Sequence, residues 1–185
     1  MSSATPSLPR RPSILTLVSI SAAGALSMNI FLPSLPAMAR DFGVEYGFMQ
    51  LSVSAFLGVS AVLQLLCGPI SDRYGRRPVV LGSFAIFLLA TVGALLARDA
   101  AWFMVFRLIQ AVATTGFVIS RAVVRDIVPA EQAASMIGYV TMGMSLVPMI
   151  APTLGGVLDE TLGWRASFWI VAGMMLFCGL VIAVQ

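Results

Sequence analysis

The sequence predicts an all-α integral membrane protein, six transmembrane helices arranged as two inverted three-helix repeats. Three observations carry this expectation. The chain holds six long apolar windows that are nearly free of charge. Its arginines crowd onto alternate connecting segments. The first three windows also map onto the last three by one constant shift.

The composition sets the frame. Of 185 residues, 59% are hydrophobic and 10% charged, and the mean hydropathy is +0.97. A soluble domain is roughly a quarter charged, so this chain lacks the polar surface to fold in water. All eleven basic residues are arginines, and neither Lys nor His occurs. A Schiff-base or P-loop lysine, a histidine-based triad and histidine metal sites are thereby excluded. No metal, no cofactor and no nucleic-acid partner is expected. Cys67 and Cys178 sit in apolar runs and read as buried reduced thiols.

A membrane helix needs about 20 apolar residues, at about 1.5 Å each, to cross a core about 30 Å thick. Windows 12–39, 46–71, 78–97, 132–158 and 166–185 carry no charge, and window 100–120 carries one, Arg107. Trimmed of loop residues, these give helices at 14–37, 47–70, 78–97, 101–123, 133–157 and 165–184. Residues 1–13 are rich in Ser and Pro and read as a disordered cytoplasmic tail before a bundle spanning 14–185. The start could pass for a signal peptide, with Arg10 and Arg11 before an apolar run and Ala25-Leu-Ser27 as a mock cleavage site. The uncharged run continues to Ala39, however, which favours a retained first helix.

Orientation follows from the arginines. Arg10, Arg11, Arg73, Arg76, Arg77, Arg121 and Arg125 fall on one side, and only Arg40, Arg98 and Arg165 on the other. The richer side is expected to be cytoplasmic, which places both termini inside, in a bacterial inner membrane.

A shift of 87 residues carries 12–39 to 99–126, 46–71 to 133–158 and 78–97 to 165–184. It also lays Gly68-Pro-Ile-Ser-Asp72 on Gly155-Gly-Val-Leu-Asp159. Three spans per unit is an odd number, so the units 14–97 and 101–184 must be inverted relative to each other, as in secondary transporters. Regular helix spacing alone would give part of this match; the shared Gly-x-x-x-Asp makes coincidence harder.

The loop after the second helix reads Gly68-Pro-Ile-Ser-Asp72-Arg73-Tyr-Gly75-Arg76-Arg77. Gly68 would let two helices approach closely. Asp72 can pair with an arginine or cap a helix. Gly75 suits a tight turn, and Arg73, Arg76 and Arg77 suit anionic headgroups. Here the chain resembles the major facilitator superfamily, whose motif runs G-x-L-x-D-R-x-G-R-R/K. The resemblance implies a gating loop closing against the other half of a twelve-helix transporter, with this chain as the amino-terminal half. Arg121 and Arg125 are candidate gate partners for Asp72.

Helix four carries Arg107-Leu-Ile-Gln110-Ala-Val-Ala-Thr114, similar in part to the family motif R-x-x-Q-G-x-G-x-x-x-G, with Ala111 and Ala113 in place of glycines. A charge at that depth costs at least about 2.5 kcal/mol, so it should face a partner or a watered cavity. Snorkelling to the outer headgroups is the alternative. Gln110 and Thr114 share its helix face. Helix five holds Gly143, Pro148, Pro152, Gly155 and Gly156, resembling a motif associated with antiporters and suiting a bent, closely packed hinge. Phe31, Phe56, Phe117 and Trp169, with eleven methionines, suit an adaptable apolar cavity.

Helix one, through Asn29-Ile-Phe-Leu-Pro33-Ser-Leu-Pro36, is similar to the bicyclomycin/chloramphenicol-resistance branch of drug:proton antiporters. Arg121-Ala-Val-Val-Arg125-Asp126 and Gly163-Trp-Arg-Ala-Ser-Phe-Trp169 add to that likeness. The branch commonly carries Asp where this chain has Asn29, and an amide cannot titrate. The eight acids (Asp41, Glu45, Asp72, Asp99, Asp126, Glu131, Asp159 and Glu160) all fall at or beyond helix ends, so a proton relay would use a group outside this chain or an acid near the rim. Asn29, Arg107, Gln110 and Thr114 are the candidate substrate-cavity residues.

The implied function is secondary transport, the efflux of small amphipathic drugs or metabolites by alternating access, with a small-molecule substrate and the lipid bilayer as partners. The chain stops at Gln185 as its sixth helix reaches the inner face. A fragment that needs a carboxy-terminal six-helix half is the plainer expectation, and a second copy of the chain the other. The competing function is a truncated, non-transporting membrane module. Enzymatic activity is not expected.

Overall fold

In lipid a backbone amide has no water to bond, so spanning segments must close their hydrogen bonds within themselves. The computed structural model describes residues 14–127 and 130–184, and the expected tail 1–13 lies outside them. The described residues form eight α-helices joined by short turns, with two 3₁₀ segments and no strand. They make six helical stretches long and apolar enough to cross a membrane: Thr16–Phe42, Tyr46–Tyr74, Arg76–Leu96, Ala100–Val124, Ala134–Leu162 and Arg165–Val184.

The first stretch is discontinuous. α1 (Ile14–Asn29) ends before a 3₁₀ turn, Leu32–Ser34, and α2 (Leu35–Phe42) follows. Pro33 and Pro36 explain the break: neither has an N–H to donate to the carbonyl four residues back, and each ring crowds that carbonyl. Gly43, at φ 65°, closes α2 in a left-handed turn. α3 (Tyr46–Tyr74) and α4 (Arg76–Leu96) are separated by Gly75 alone. α5 (Ala100–Ile109) starts at Asp99, whose side chain accepts the Trp102 backbone N–H at 2.9 Å. This is an N-cap, which is favourable at the positive end of a helix. A second 3₁₀ segment, Gln110–Thr114, divides α5 from α6 (Thr115–Ile127). α7 (Ala130–Leu162) runs unbroken through Pro148 and Pro152, and α8 (Arg165–Val184) completes the described chain.

The helices pair as exchanged triplets would. α1 lies along α7, and α3 along α5 and α6, the equivalent pair after the shift. α4 lies against α8, a pair that maps onto itself. The α1–α7 contact is backbone-close: a Cβ on Gly155 would collide with the carbonyl group of Ile30. Two apolar clusters fill the bundle. One gathers Leu17, Ile20, Phe84, Phe87, Val124 and Met175, with both cysteines buried in it. The other is aromatic. Phe103, Trp164 and Phe168 meet pairwise edge-to-face, with centroids 5.7–5.8 Å apart, each pair adding about 0.5–1.5 kcal/mol beyond simple burial.

The two long helices α3 and α7 stay largely uncovered. In the apolar window of α7 only 6% is buried, against 59% for the span containing α5 and α6. Leu51, Leu65 and Leu66 on α3 and Met149, Ile150 and Leu154 on α7 are exposed.

Candidate functional site

The site is organised around Arg107, the one charge inside the apolar interior among the described residues. Arg107, in the last turn of α5, is 1% exposed. It does not snorkel to the headgroups; its side chain turns into the bundle. Nη1 donates to Gln110 Oε1 at 2.7 Å, and Nη2 to the Ser27 carbonyl at 2.9 Å. Ser27 is accessible as an acceptor because it lies in the last turn of α1, where carbonyls have no amide further along the helix to accept from. The proline-bearing break therefore supplies the arginine with a ligand. Gln110 Nε2 donates to Thr91 Oγ1 at 2.9 Å, and Thr91 donates to the Phe87 carbonyl at 2.8 Å. The network thus ties α1, α4 and the 3₁₀ segment after α5 together.

Three aromatic rings take up the charge. The guanidinium carbon lies 3.9 Å from the Phe31 centroid, 4.4 Å from that of Phe56 and 5.8 Å from that of Phe168. A desolvated cation over a ring face is worth about 2 kcal/mol or more. No carboxylate pairs with Arg107 among the described residues. The ion pairs present there are Asp72–Arg76 at 2.7 Å and Asp41–Arg165 at 3.4 Å, both near helix ends. Beside the guanidinium lies a cavity of about 10 Å³, lined by Ser27, Phe87, Arg107, Gln110, Ser167 and Phe168 among others.

The four candidate cavity residues separate into two groups. Arg107 and Gln110 bond to each other. Asn29 instead donates its side-chain N–H to the Ala25 carbonyl at 2.7 Å, and Thr114 donates to that of Ala111 at 2.7 Å. Each bonds to its own local backbone and stands outside the Arg107 network. Phe31 and Phe56 reach the guanidinium, whereas Trp169 is exposed and the side chain of Phe117 lies outside the described residues. Thr91 and the Ser27 carbonyl escape a motif-based reading, because each joins the site only through packing between helices distant in sequence.

At the opposite end, Gly75 adopts φ 92° and ψ 152°, a backbone setting that excludes ordinary side chains. Arg76 donates to Ser71 Oγ at 2.5 Å and pairs with Asp72. Asp72 therefore has a described partner four residues on. Arg121 is exposed and makes no ion pair with a described residue, and the Arg125 side chain lies outside the described residues. Arg73 lies 5.5 Å from the Tyr74 ring centroid. Arg77 donates to the Ala183 carbonyl at 2.6 Å and so ties the loop to the end of α8. The close approach expected at Gly68 is not found: a Cβ there would meet nothing within 4 Å, because that face of α3 has no described neighbour. Its repeat counterpart Gly155 makes the close contact instead. Gly156 faces Pro33, with a Cβ placed 3.9 Å from it. Pro148 is exposed, and the side-chain surroundings of Gly143 lie outside the described residues.

Comparison with known proteins agrees with this architecture. Residues 17–184 match the family described as Major Facilitator Superfamily. The chain is 36% identical over 156 residues to multidrug resistance protein D of Escherichia coli (strain K12), covering 84% of this chain and 40% of that protein. It is 36% identical over 146 residues to chloramphenicol resistance protein of Pseudomonas aeruginosa, covering 78% of this chain and 35% of that protein. To citrate exporter 1 of Aspergillus niger it is 29% identical over 178 residues, covering 94% of this chain and 34% of that protein. The chain thus spans well under half the length of the curated relatives it matches.

Proposed function

This chain belongs to the major facilitator superfamily, and from that membership we propose that it is the amino-terminal half of a drug exporter working by alternating access. The observation that carries the reading is its 36% identity to two proteins named for multidrug and chloramphenicol resistance. Small amphipathic compounds are the proposed substrates, and a second six-helix half the proposed partner. The uncovered apolar faces of α3 and α7 support this, since such a half could cover them. The seven-to-three arginine asymmetry supports an inner-membrane location with both termini in the cytoplasm. Arg107 and Gln110 hold the core behind the substrate path, and the Gly68–Arg77 loop acts at the cytoplasmic gate, with Arg121 or Arg125 as a candidate partner from the same half. Gly143, Pro148, Pro152, Gly155 and Gly156 form the surface on which α7 pivots.

Proton coupling, where it occurs, runs through a carboxylate outside the apolar interior. The described acids all lie near helix ends, and Asn29 is an amide. The test is efflux from cells stripped of their own pumps, with chloramphenicol and a lipophilic fluorescent cation as probes. Lowered accumulation, lost on Arg107→Ala, is expected. Accumulation unchanged by expression of the protein, whole or joined to a second half, overturns the reading.

A second reading is favoured by one fact, that the chain covers only 40% of multidrug resistance protein D. In it, the 185 residues form a membrane module that does not transport alone. Export that stays absent even when a second half is co-expressed favours this reading; export that appears on co-expression favours the first.

A further inference from the structure

The guanidinium of Arg107 has a polar surface that its protein ligands do not use. Nη1 and Nη2 are bonded, but Nε is buried and has no hydrogen-bond partner. Ser167 Oγ is likewise fully buried without a partner. Both residues line the same cavity of about 10 Å³, which is room for about one water-sized occupant. Leaving either group unsatisfied in an apolar interior costs about 1–3 kcal/mol, and more where the group is charged. Arg107 and Ser167 both line this void, and each carries a buried donor without a protein acceptor.

The charge selects the occupant. No carboxylate pairs with Arg107 among the described residues, and the rings of Phe31, Phe56 and Phe168 disperse its charge without cancelling it. A buried cation without a counter-ion is strongly disfavoured. Ser167 is the third residue of α8, so the positive end of that helix also faces this region. An arginine, a hydroxyl and a helix start make a local field that favours an anion over neutral water. The remaining walls, Ile30, Phe31, Phe87, Phe168 and Val171, are apolar, which suits a spherical, weakly hydrated ion over a strongly hydrated oxyanion such as sulfate.

We propose that the cavity between Arg107 and Ser167 binds one small halide ion, chloride in the cell, as the internal counter-ion of the arginine. The ion accepts from Arg107 Nε and Ser167 Oγ. The proposal does not depend on the transport reading.

The test uses the purified protein in lipid nanodiscs. Binding of radioactive chloride is measured, and thermal unfolding is followed as chloride replaces gluconate at constant ionic strength. Saturable binding of about one ion per chain is expected, with bromide competing and sulfate not. Ser167→Ala should weaken binding about tenfold, the loss of one hydrogen bond to a charged group, and Arg107→Gln should abolish it. Ser167→Ala removes a single oxygen and is expected to leave the fold intact, so it keeps the test decisive if Arg107→Gln misfolds. Absence of saturable chloride binding, with water as the sole occupant, overturns the proposal. So does binding that Ser167→Ala leaves unchanged. Drug export without chloride binding would refute this site and leave the transport reading standing; the converse result would do the opposite.

Discussion

Replacing Gly155 by Ala adds one methyl group where α7 presses on α1. A Cβ at that position overlaps the backbone carbonyl of Ile30, and this partner cannot rotate away as a side chain could. Ile30 is also held by its own bond, its N–H donating to the Leu26 carbonyl at 3.0 Å. Relief therefore requires the two helices to separate, with loss of packing along the α1–α7 contact. Overpacking of this kind costs about 1–3 kcal/mol, and the gain in helix propensity from Gly to Ala returns about 1 kcal/mol at most. Overlap with a fixed backbone group puts the cost in the upper part of that range, so the net loss is about 1–2 kcal/mol, or a fall of about 3–6 °C in the unfolding midpoint for a chain of this size. The control is Gly173→Ala, in the interior of α8, where a Cβ meets nothing within 4 Å. There only the propensity gain applies, and the midpoint should hold or rise by about 2 °C. Both variants are measured by thermal unfolding in the same detergent micelle. If Gly155→Ala is as stable as Gly173→Ala, the close approach of α7 to α1 is wrong.

Thr91→Val keeps the volume but removes the acceptor for Gln110 Nε2; a loss of about 1–3 kcal/mol in unfolding free energy is expected, while Thr91→Ser should retain most stability. Gly75→Ala forces a side chain into φ 92° and should cost about 1–3 kcal/mol, read as a lower unfolding midpoint and faster proteolysis of the loop between α3 and α4. Trp164→Phe preserves the aromatic cluster but removes the 2.8 Å bond from Trp164 Nε1 to Asp41; a loss of about 1 kcal/mol is expected, and double-mutant cycles with Asp41→Asn should show the two residues coupled.

How much of this was legible in the sequence depended on how local each feature was. The six spans could be read because length and hydropathy are properties of a single segment. Their ends were harder. Expected to stop at 70 and 157, the second and fifth helices run on to Tyr74 and Leu162, since charged residues such as Asp72 and Asp159 extend a helix into the headgroup layer without breaking it. Gly75 announced its turn, being an isolated glycine between two arginine-bearing helix ends. The surroundings of Arg107 were only half readable. Gln110 follows at helical spacing, so their bond is local. Thr91 and the Ser27 carbonyl lie 16 and 80 residues away by number, and only tertiary packing brings them in. Asn29, expected to face the cavity, is held by its own helix at Ala25. The glycine repeat was visible as a pattern, but not the fact that Gly155 meets a backbone while Gly68 faces open space.

The isolation of Arg107 also has an electrical consequence. A charge buried within the span lies inside the transmembrane field, where a full crossing is worth about 2.3 kcal/mol per 100 mV. A rocking step that carried the guanidinium through a quarter of that field would do work of about 0.6 kcal/mol per 100 mV, enough to shift a two-state balance nearly threefold. A halide seated beside it would make the moving unit neutral and remove that dependence. In the proposed cycle, chloride would then decide whether the conformational change responds to membrane voltage.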